Sequence, residues 1–362
     1  MNTLLRSTGF FVFLAFLVVS MGCTKQQKQF FVNEGLVYGT YYRITYEHHQ
    51  DLEAEIKTAL AAVGKSLSTF DSSSVISRIN NNDSTVVADM YFTQVFTTAQ
   101  LVSSVTKGAF DLTVAPLVNV WGFGFDPQKE RTDSLVDSIK NWVGYGKISL
   151  QDGKIVKQDP RIQLDGSAIA KGYACDVVAE LLSKAGSDHY LVDIGGEVVV
   201  KGSNPRGTHW QIGINKAIDD ATQQNQEIQQ IISVTDVAIA TSGNYRQFYY
   251  ENNKKIAHTI DPRTGYPTNH SLLSTTVIAP TCMLADAYAT AFMVMGNWEE
   301  IMKVVNNAVP PIAVFVFLKM VQANISKWLL LVLNNTCKRS NNNLASLSQF
   351  ACLLSNLRIC GS

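Results

Sequence analysis

Apolar residues recur every three or four positions in six segments of the chain, and this spacing predicts a helix in each. In the segment Asp51–Leu67, for example, Ile56, Leu60 and Val63 fall on one face. A glycine closely follows four of the six segments and is expected to end the helix. The predicted helices are 51–67, 93–106, 133–143, 168–185, 282–295 and 298–306.

Segments in which apolar and polar residues alternate predict the strands. A hairpin over 147–157 is expected to turn at Asp152-Gly153, because that pair tolerates positive φ. The strand over 190–201 is expected to be broken at Gly195-Gly196, a pair that fits either a β-bulge or the close approach of a ligand or another backbone. Separate runs of hairpins and helices favour an α+β fold over a doubly wound parallel sheet. The other predicted strands are 35–46, 209–214, 231–240, 245–251, 256–260, 274–279 and 310–318.

Length and composition narrow the class of protein. With 362 residues, of which 46% are hydrophobic, the chain can bury the core of one large domain or of two ordinary ones. This apolar content excludes wholesale disorder. The formal net charge of zero offers no electrostatic footprint for nucleic acid, so we expect no nucleic-acid partner.

The N-terminus has the pattern of an export signal. Arg6 precedes the apolar run Gly9–Val19, which is too short for a stable membrane anchor, and Cys23 follows after Met21-Gly22. This arrangement resembles a bacterial lipoprotein signal peptide over residues 1–22, with lipid on Cys23 and a linker over 23–34. We therefore expect a lipid-anchored protein of the bacterial cell envelope that faces the periplasm. An ordinary secretory signal with an incidental cysteine is the alternative.

The cysteines follow no metal-binding spacing. Cys175 and Cys282 are isolated, and no C-x-x-C or close Cys/His cluster occurs, so a zinc site is not expected. An exported protein could join these two cysteines in a disulfide. We predict instead two buried free thiols.

Two segments place polar groups where core packing does not demand them. Asp111 stands among apolar residues in Gly108–Gly124, and a carboxylate there must be paired or must cap a turn. Lys171 lies in the first turns of the helix that follows Asp165. A helix N-terminus with a nearby lysine favours an anion or phosphate, although the segment lacks the Walker pattern.

Two further segments carry side chains suited to proton transfer and to a cation. His258 stands in the stiff turn Ala257–Pro267 and could act as a base, or could be structural. Asp286 and Thr290 are four residues apart, so they share one face of an otherwise apolar helix. Their oxygens suit Mg²⁺. Alternatively, Asp286 pairs with an arginine and Thr290 bonds its own backbone.

Together, eight collinear blocks between Tyr38 and Gly296 resemble the ApbE family, the FAD:protein FMN transferases, many of which are exported lipoproteins. The resemblance implies an α+β fold with mixed or antiparallel sheets flanked by helices, and an FAD and Mg²⁺ site in a cleft between lobes. The matched blocks are YGTYYRITY, STFDSSSVISRIN, GAFDLTVAPLVNVWGFG, DGSAIAKGYACD, LVDIGGEVVVKG, ATSGNYRQFY, HTIDPRTGYP and ADAYATA.

The resemblance also implies the reaction. Such enzymes leave the FMN half of FAD on a threonine of a target protein as a phosphoester and release AMP. Their acceptors are redox subunits of membrane electron-transfer complexes. The alternatives are an FAD pyrophosphatase, which would use the same site with water, and a non-catalytic lipoprotein that binds FAD.

Roles for individual residues follow from the same resemblance. His258 would be the base for the acceptor hydroxyl. Magnesium would be held by Asp286, Thr290 and the backbone carbonyl of Ala168. The implied FAD contacts are Tyr38, Phe70, Ala109, Phe110, Asp111, Asp165, Lys171 and Ile260.

The end of the chain differs from the rest. Residues 23–300 hold 23 basic and 30 acidic residues, whereas 301–362 hold six basic and no acidic residues. The family pattern is expected over residues 35–318 and fails from Lys319 onward. Codons permitted for Lys319–Ile325 can also read DGASKY one nucleotide earlier, a polar turn of the kind the family has there. We hypothesise that 319–362 is a frameshifted tail, which the gene's nucleotide sequence would test; a genuine divergent tail is the alternative.

Overall fold

A computed structural model describes residues 28–126, 131–218, 227–245, 247–322 and 325–334, with side chains as far as Phe317. The helices are α1 (Glu53–Leu67), α2 (Val75–Asn80), α3 (Met90–Val105), α4 (Ala115–Val120), α5 (Asp133–Lys140), α6 (Ala170–Lys184), α7 (Cys282–Met295) and α8 (Trp298–Asn307). The strands are β1 (Gln29–Val37), β2 (Thr40–His48), β3 (Ile148–Gln151), β4 (Lys154–Lys157), β5 (Tyr190–Ile194), β6 (Glu197–Lys201), β7 (Trp210–Asn215), β8 (Ile228–Val234), β9 (Val237–Gly243), β10 (Phe248–Glu251), β11 (Lys254–Ala257), β12 (Leu272–Ala279), β13 (Ala313–Gln322) and β14 (Ile325–Asn334).

One sheet of eight strands organises the described part of the chain. Its order is β1-β2-β5-β6-β9-β12-β13-β14, and each neighbouring pair is antiparallel. Three two-stranded hairpins, β3–β4, β7–β8 and β10–β11, lie outside it. With helices flanking an antiparallel sheet, the predicted α+β class is confirmed.

The sheet buries both of its faces because its central strands are apolar at successive positions. In β12, Val277 belongs to the main core with the helices, whereas Ile278 belongs to a second core that includes Trp210 of β7. Successive side chains of a strand point to opposite faces, so this division follows from the strand geometry. A third apolar cluster, which includes Val136 and Ile260, joins α4 and α5 to β11.

Three segments predicted as single strands each form two strands in the structure, of which 35–46 and 190–201 are hairpins and 231–240 joins strands of two different sheets. Only the break at Gly195-Gly196 was predicted. The segment 35–46 turns at Tyr38-Gly39, where φ is 52° and 74°. The segment 190–201 turns at Gly195-Gly196, where φ is 68° and 99°, so this pair is not a β-bulge. The segment 231–240 turns at Asp236, with φ of 53°. A two-residue turn barely interrupts the alternation of apolar residues, so the pattern alone missed it.

The ends of the predicted domain also differ from the structure. Strand β1 begins at Gln29, so the second half of the predicted linker 23–34 is part of the sheet. At the other end, β13 continues beyond the predicted limit of 318 and pairs with β14. Cys23 and the signal segment lie outside the described residues, as does most of the tail. Among the helices that the structure describes, none combines the length and apolar character needed to cross a membrane.

Candidate active site

Helices α6 and α7 meet near their N-termini and cap one another. Asp286 of α7 accepts a hydrogen bond from the N–H of Gly172 in α6 at 3.0 Å. In return, Asp176 of α6 accepts bonds from the N–H groups of Cys282 and Met283, each at 2.8 Å. The first N–H groups of a helix have no partner within it, so each carboxylate stabilises the end of the neighbouring helix.

Gly172 allows this close approach. A Cβ atom at Gly172 would lie 2.4 Å from the carbonyl oxygen of Cys282 and 2.8 Å from the Cβ of Asp286. Cys175 and Cys282 are buried free thiols, as predicted. Burial raises the pKa of both, which keeps them protonated at neutral pH.

Beside the helix junction lies a charged cluster, defined here as Lys171, Glu197 and Asp286. The Nζ of Lys171 lies 2.9 Å from Oε1 of Glu197. Glu197 and Asp286 are only 4% and 3% exposed. Burial raises the pKa of both carboxyls, an effect that Lys171 partly offsets. Burial lowers the pKa of Lys171, but the two acids raise it by more, so the ammonium stays charged.

The residues that the resemblance assigns to Mg²⁺, namely Asp286, Thr290 and Ala168, offer oxygen atoms, which a hard cation prefers. When all three side chains of the charged cluster are ionised, two carboxylates and one ammonium leave a single negative charge. Thr290 lies one helical turn after Asp286, and its hydroxyl is 3.0 Å from that of Ser242. Ala168 precedes the N-cap residue of α6, so its carbonyl is not an acceptor within the helix.

These oxygens fit Mg²⁺ better than a softer metal. In the described residues, no three His, Cys, Asp or Glu side chains converge as a metal site. A cation here would therefore combine one carboxylate with a hydroxyl and a carbonyl, which is an all-oxygen set typical of Mg²⁺.

His258 follows β11, and the charge of Lys171 in the charged cluster acts on its pKa. Its Nδ1 lies 3.1 Å from the carbonyl oxygen of Gln247, so Nδ1 carries the proton and Nε2 presents a lone pair. Burial lowers the pKa of His258; the Gln247 carbonyl opposes this, and the ammonium of Lys171 lowers the pKa further. The imidazole is therefore neutral at neutral pH and can accept a proton.

A cavity of about 150 Å³ opens where α1, α6 and the β1–β2 turn meet. The predicted FAD contacts Tyr38, Phe70 and Lys171 all line it. Tyr38 donates a hydrogen bond to the carbonyl of Leu60, and its ring lies against Gly64. Phe70 is 81% exposed, so an apolar ring faces solvent at this site. A cavity of this size holds a benzene-sized group, so a dinucleotide would extend beyond it.

Other predicted FAD contacts do not line that cavity. Ala109, Phe110 and Ile260 are buried in apolar clusters or beside them. Asp165 accepts bonds from the N–H and hydroxyl of Ser167 in the turn before α6. The role of these residues toward FAD stays a prediction.

Asp111 is satisfied entirely by the chain itself. One carboxylate oxygen accepts bonds from the N–H and hydroxyl of Thr113, at 2.8 and 2.7 Å. The other oxygen accepts the N–H of Tyr145 at 2.7 Å. Of the two interpretations of Asp111, the geometry supports the one in which it caps a turn.

Sequence reasoning missed three residues of this site: Glu197, Asp176 and Ser242. Glu197 could have been found by the argument that singled out Asp111, because it is an acid at the start of an apolar strand. Asp176 and Ser242 act through contacts more than 45 residues away along the chain, which no local pattern reveals.

Comparison with known proteins agrees with this geometry. The model of the ApbE family matches residues 38–316. FAD:protein FMN transferase of Haemophilus influenzae is 36% identical over 78% of this chain and 85% of its own. FAD:protein FMN transferase of Vibrio cholerae is 36% identical over 83% of this chain and 91% of its own. The solved structure of flavin transferase ApbE from Vibrio cholerae superposes with a TM-score of 0.73, at 34% identity, over 84% of this chain and 97% of that one.

Proposed function

Because the chain belongs to the ApbE family, we propose that it is an enzyme that transfers FMN from FAD to a target protein. The observation that carries this proposal is the convergence of a neutral histidine, a lysine and two buried carboxylates beside an aromatic cavity. A protein that only binds FAD would not need a base. In the finer form of the proposal, the acceptor is a threonine hydroxyl and the leaving group is AMP.

The cavity and Lys171 account for binding of FAD. Tyr38 and Phe70 offer flat apolar faces to a ring system. Lys171 stands in the first turn of α6, where its ammonium and the positive end of the helix both favour the pyrophosphate.

Asp286, the hydroxyl of Thr290 and the carbonyl of Ala168 would hold Mg²⁺. When bound, the ion would neutralise charge that develops on the pyrophosphate as it is cleaved. The cap that Asp286 places on Gly172 orients the carboxylate before the ion arrives. The bond to Ser242 does the same for the hydroxyl of Thr290.

His258 would activate the acceptor. A neutral hydroxyl is a weak nucleophile, and Nε2 of His258 would take its proton while Gln247 holds the ring. The hydroxyl oxygen then forms a bond to the phosphorus on the FMN side. The bond from that phosphorus to the bridging oxygen breaks, and AMP leaves with the bridging oxygen.

The proposal includes the cellular location of the enzyme. A lipidated Cys23 would hold the enzyme on a bacterial membrane, facing the periplasm, where redox subunits of membrane electron-transfer complexes would be its acceptors. Labelling with a fatty-acid analogue tests this, since Cys23→Ala should abolish incorporation and release the protein from membranes.

Intact mass spectrometry tests the reaction itself. The chain without residues 1–23 is mixed with FAD, Mg²⁺ and a threonine-bearing acceptor domain. An acceptor heavier by one FMN phosphoester, with no gain when EDTA is present, is expected. Release of FMN and AMP without a mass gain would instead identify a hydrolase.

A further inference from the structure

Glu197 is a buried acid whose hydrogen bonding is incomplete. It is the first residue of β6, directly after the Gly195-Gly196 turn. Its Oε1 pairs with Nζ of Lys171 at 2.9 Å, whereas its buried Oε2 has no hydrogen-bond partner among the described residues. An unpartnered buried oxygen is costly, so a role beyond stabilising the fold is expected.

Other buried acids of the molecule behave differently. Both carboxylate oxygens of Asp111 accept backbone N–H groups, and so do both oxygens of Asp176. Each of those acids fixes a turn or a helix end. Among the described residues, the side chain of Glu197 accepts no backbone N–H from another residue; its partner is the ammonium of Lys171, a group on another element.

The β5–β6 turn makes room for this arrangement. A Cβ atom at Gly195 would lie 2.8 Å from Cγ2 of Thr40 and 3.4 Å from Oε2 of Glu197. With φ of 68°, this position also favours glycine on conformational grounds. The turn thus brings a carboxylate beneath the lysine that lines the FAD cavity.

We propose that Glu197 is a positioning residue that holds the ammonium of Lys171 in place for the pyrophosphate of FAD. Lysine has a long flexible side chain, and a charge-assisted hydrogen bond restricts it to one geometry. The inference rests on the proposed role of Lys171 in the transferase. Glu197 and FAD bond to the same ammonium, so Glu197 is not expected to strengthen the binding of FAD. It is expected to raise the rate of transfer, because it fixes the position of the ammonium.

A double-mutant cycle tests this inference. The full-length protein is compared with Glu197→Gln, Lys171→Met and the double variant. The transfer rate is measured at saturating FAD, and the dissociation constant of FAD is measured by quenching of flavin fluorescence. Thermal unfolding monitors folding, and Glu180→Gln on the exposed face of α6 is the matched control.

For Glu197→Gln, we expect kcat to fall about tenfold while the dissociation constant of FAD does not rise. Glu197→Asp should recover part of the rate, because it restores the charge. In the Lys171→Met background, Glu197→Gln should cause no further loss, since its target is gone.

A wild-type kcat in Glu197→Gln would overturn the inference. So would a loss of rate from Glu197→Gln that is equal with and without Lys171. An equal loss would indicate a structural role for Glu197. If Lys171→Met itself leaves both FAD affinity and rate unchanged, the role of Lys171 fails and the inference fails with it. Wild-type transfer in the same assay would show that the transferase function stands.

Discussion

The Asp111 loop, residues 108–114, and the charged cluster both bury carboxylates, but they differ in what satisfies them. In the loop, three donors from the chain itself use both oxygens of Asp111. In the cluster, one oxygen of Glu197 has no hydrogen-bond partner in the part of the chain that the structure describes, and Lys171 acts on both Glu197 and Asp286. The difference teaches that burial of an acid does not by itself indicate function. What indicates function is a buried acid that the fold leaves incompletely bonded.

The largest expected effect comes from removing the charge of Asp286. In Asp286→Asn the amide oxygen can still accept the N–H of Gly172, so the helix cap remains. Loss of the anionic ligand should lower the transfer rate on the order of 10³-fold. Raised Mg²⁺ should recover part of this loss. A folded variant with an unchanged rate would remove Asp286 from the cation site.

A loss of about 10²-fold or more is expected for His258→Ala, since a positioned base typically contributes that much. FAD affinity should stay within about twofold, because the ring serves the acceptor rather than the flavin. Equilibrium binding and single-turnover transfer separate these quantities. His209→Ala, at an exposed position, is the control. Retained transfer in His258→Ala would exclude it as the base.

In contrast to the charged cluster, the Asp111 loop is expected to affect the stability of the protein and not the transfer rate. Asp111→Asn places an amide N–H₂ against the N–H of either Tyr145 or Thr113 and should lower the free energy of unfolding by about 1–3 kcal/mol. The transfer rate per folded molecule should change little. Urea unfolding gives the first quantity, and Asp152→Asn in the exposed β3–β4 turn should be neutral. A lost rate at full stability would contradict the assignment.

The smallest expected effect is the pH dependence of kcat/KM. The pKa of His258 is lowered from 6.5, mainly by burial, which the Gln247 carbonyl opposes and Lys171 reinforces. A base must be unprotonated, so kcat/KM should fall only at pH values below 6.5 and stay level just above. A pH–rate profile on wild type checks this. Burial also raises the pKa of Glu197, so the profile is repeated in Glu197→Gln. An acid limb that stays centred above 6.5 in that variant would mean that His258 is not neutral at rest.

Much of the fold could be predicted from the sequence, because long helices repeat their apolar residues over several turns. Helix α7 was predicted with its observed bounds, 282–295. The turn at Tyr38-Gly39 was missed, and the predicted break at Gly195-Gly196 was not recognised as a hairpin turn, because these residues differ from strand residues in the sign of φ rather than in hydrophobicity. The short helices α2 and α4 span six residues each, too few to establish a period.

Prediction of the site depended more on the resemblance to the family than on the spacing of apolar and polar residues. Lys171 lies more than 80 residues before both His258 and Asp286, so their convergence requires the fold. The acid–hydroxyl pair Asp286 and Thr290 was visible locally, since helical spacing puts both on one face. Glu197 reaches the cluster through a strand pairing that the sequence did not reveal.

Binding of Mn²⁺, followed by electron paramagnetic resonance in the presence of FAD, tests the central claim most directly, because Mn²⁺ accepts the same oxygen ligands as Mg²⁺. The charged cluster predicts one bound ion per chain in the wild type and in Asp111→Asn, and none in Asp286→Ala. Undiminished binding in a folded Asp286→Ala variant would contradict the claim that the incompletely bonded cluster is the catalytic centre.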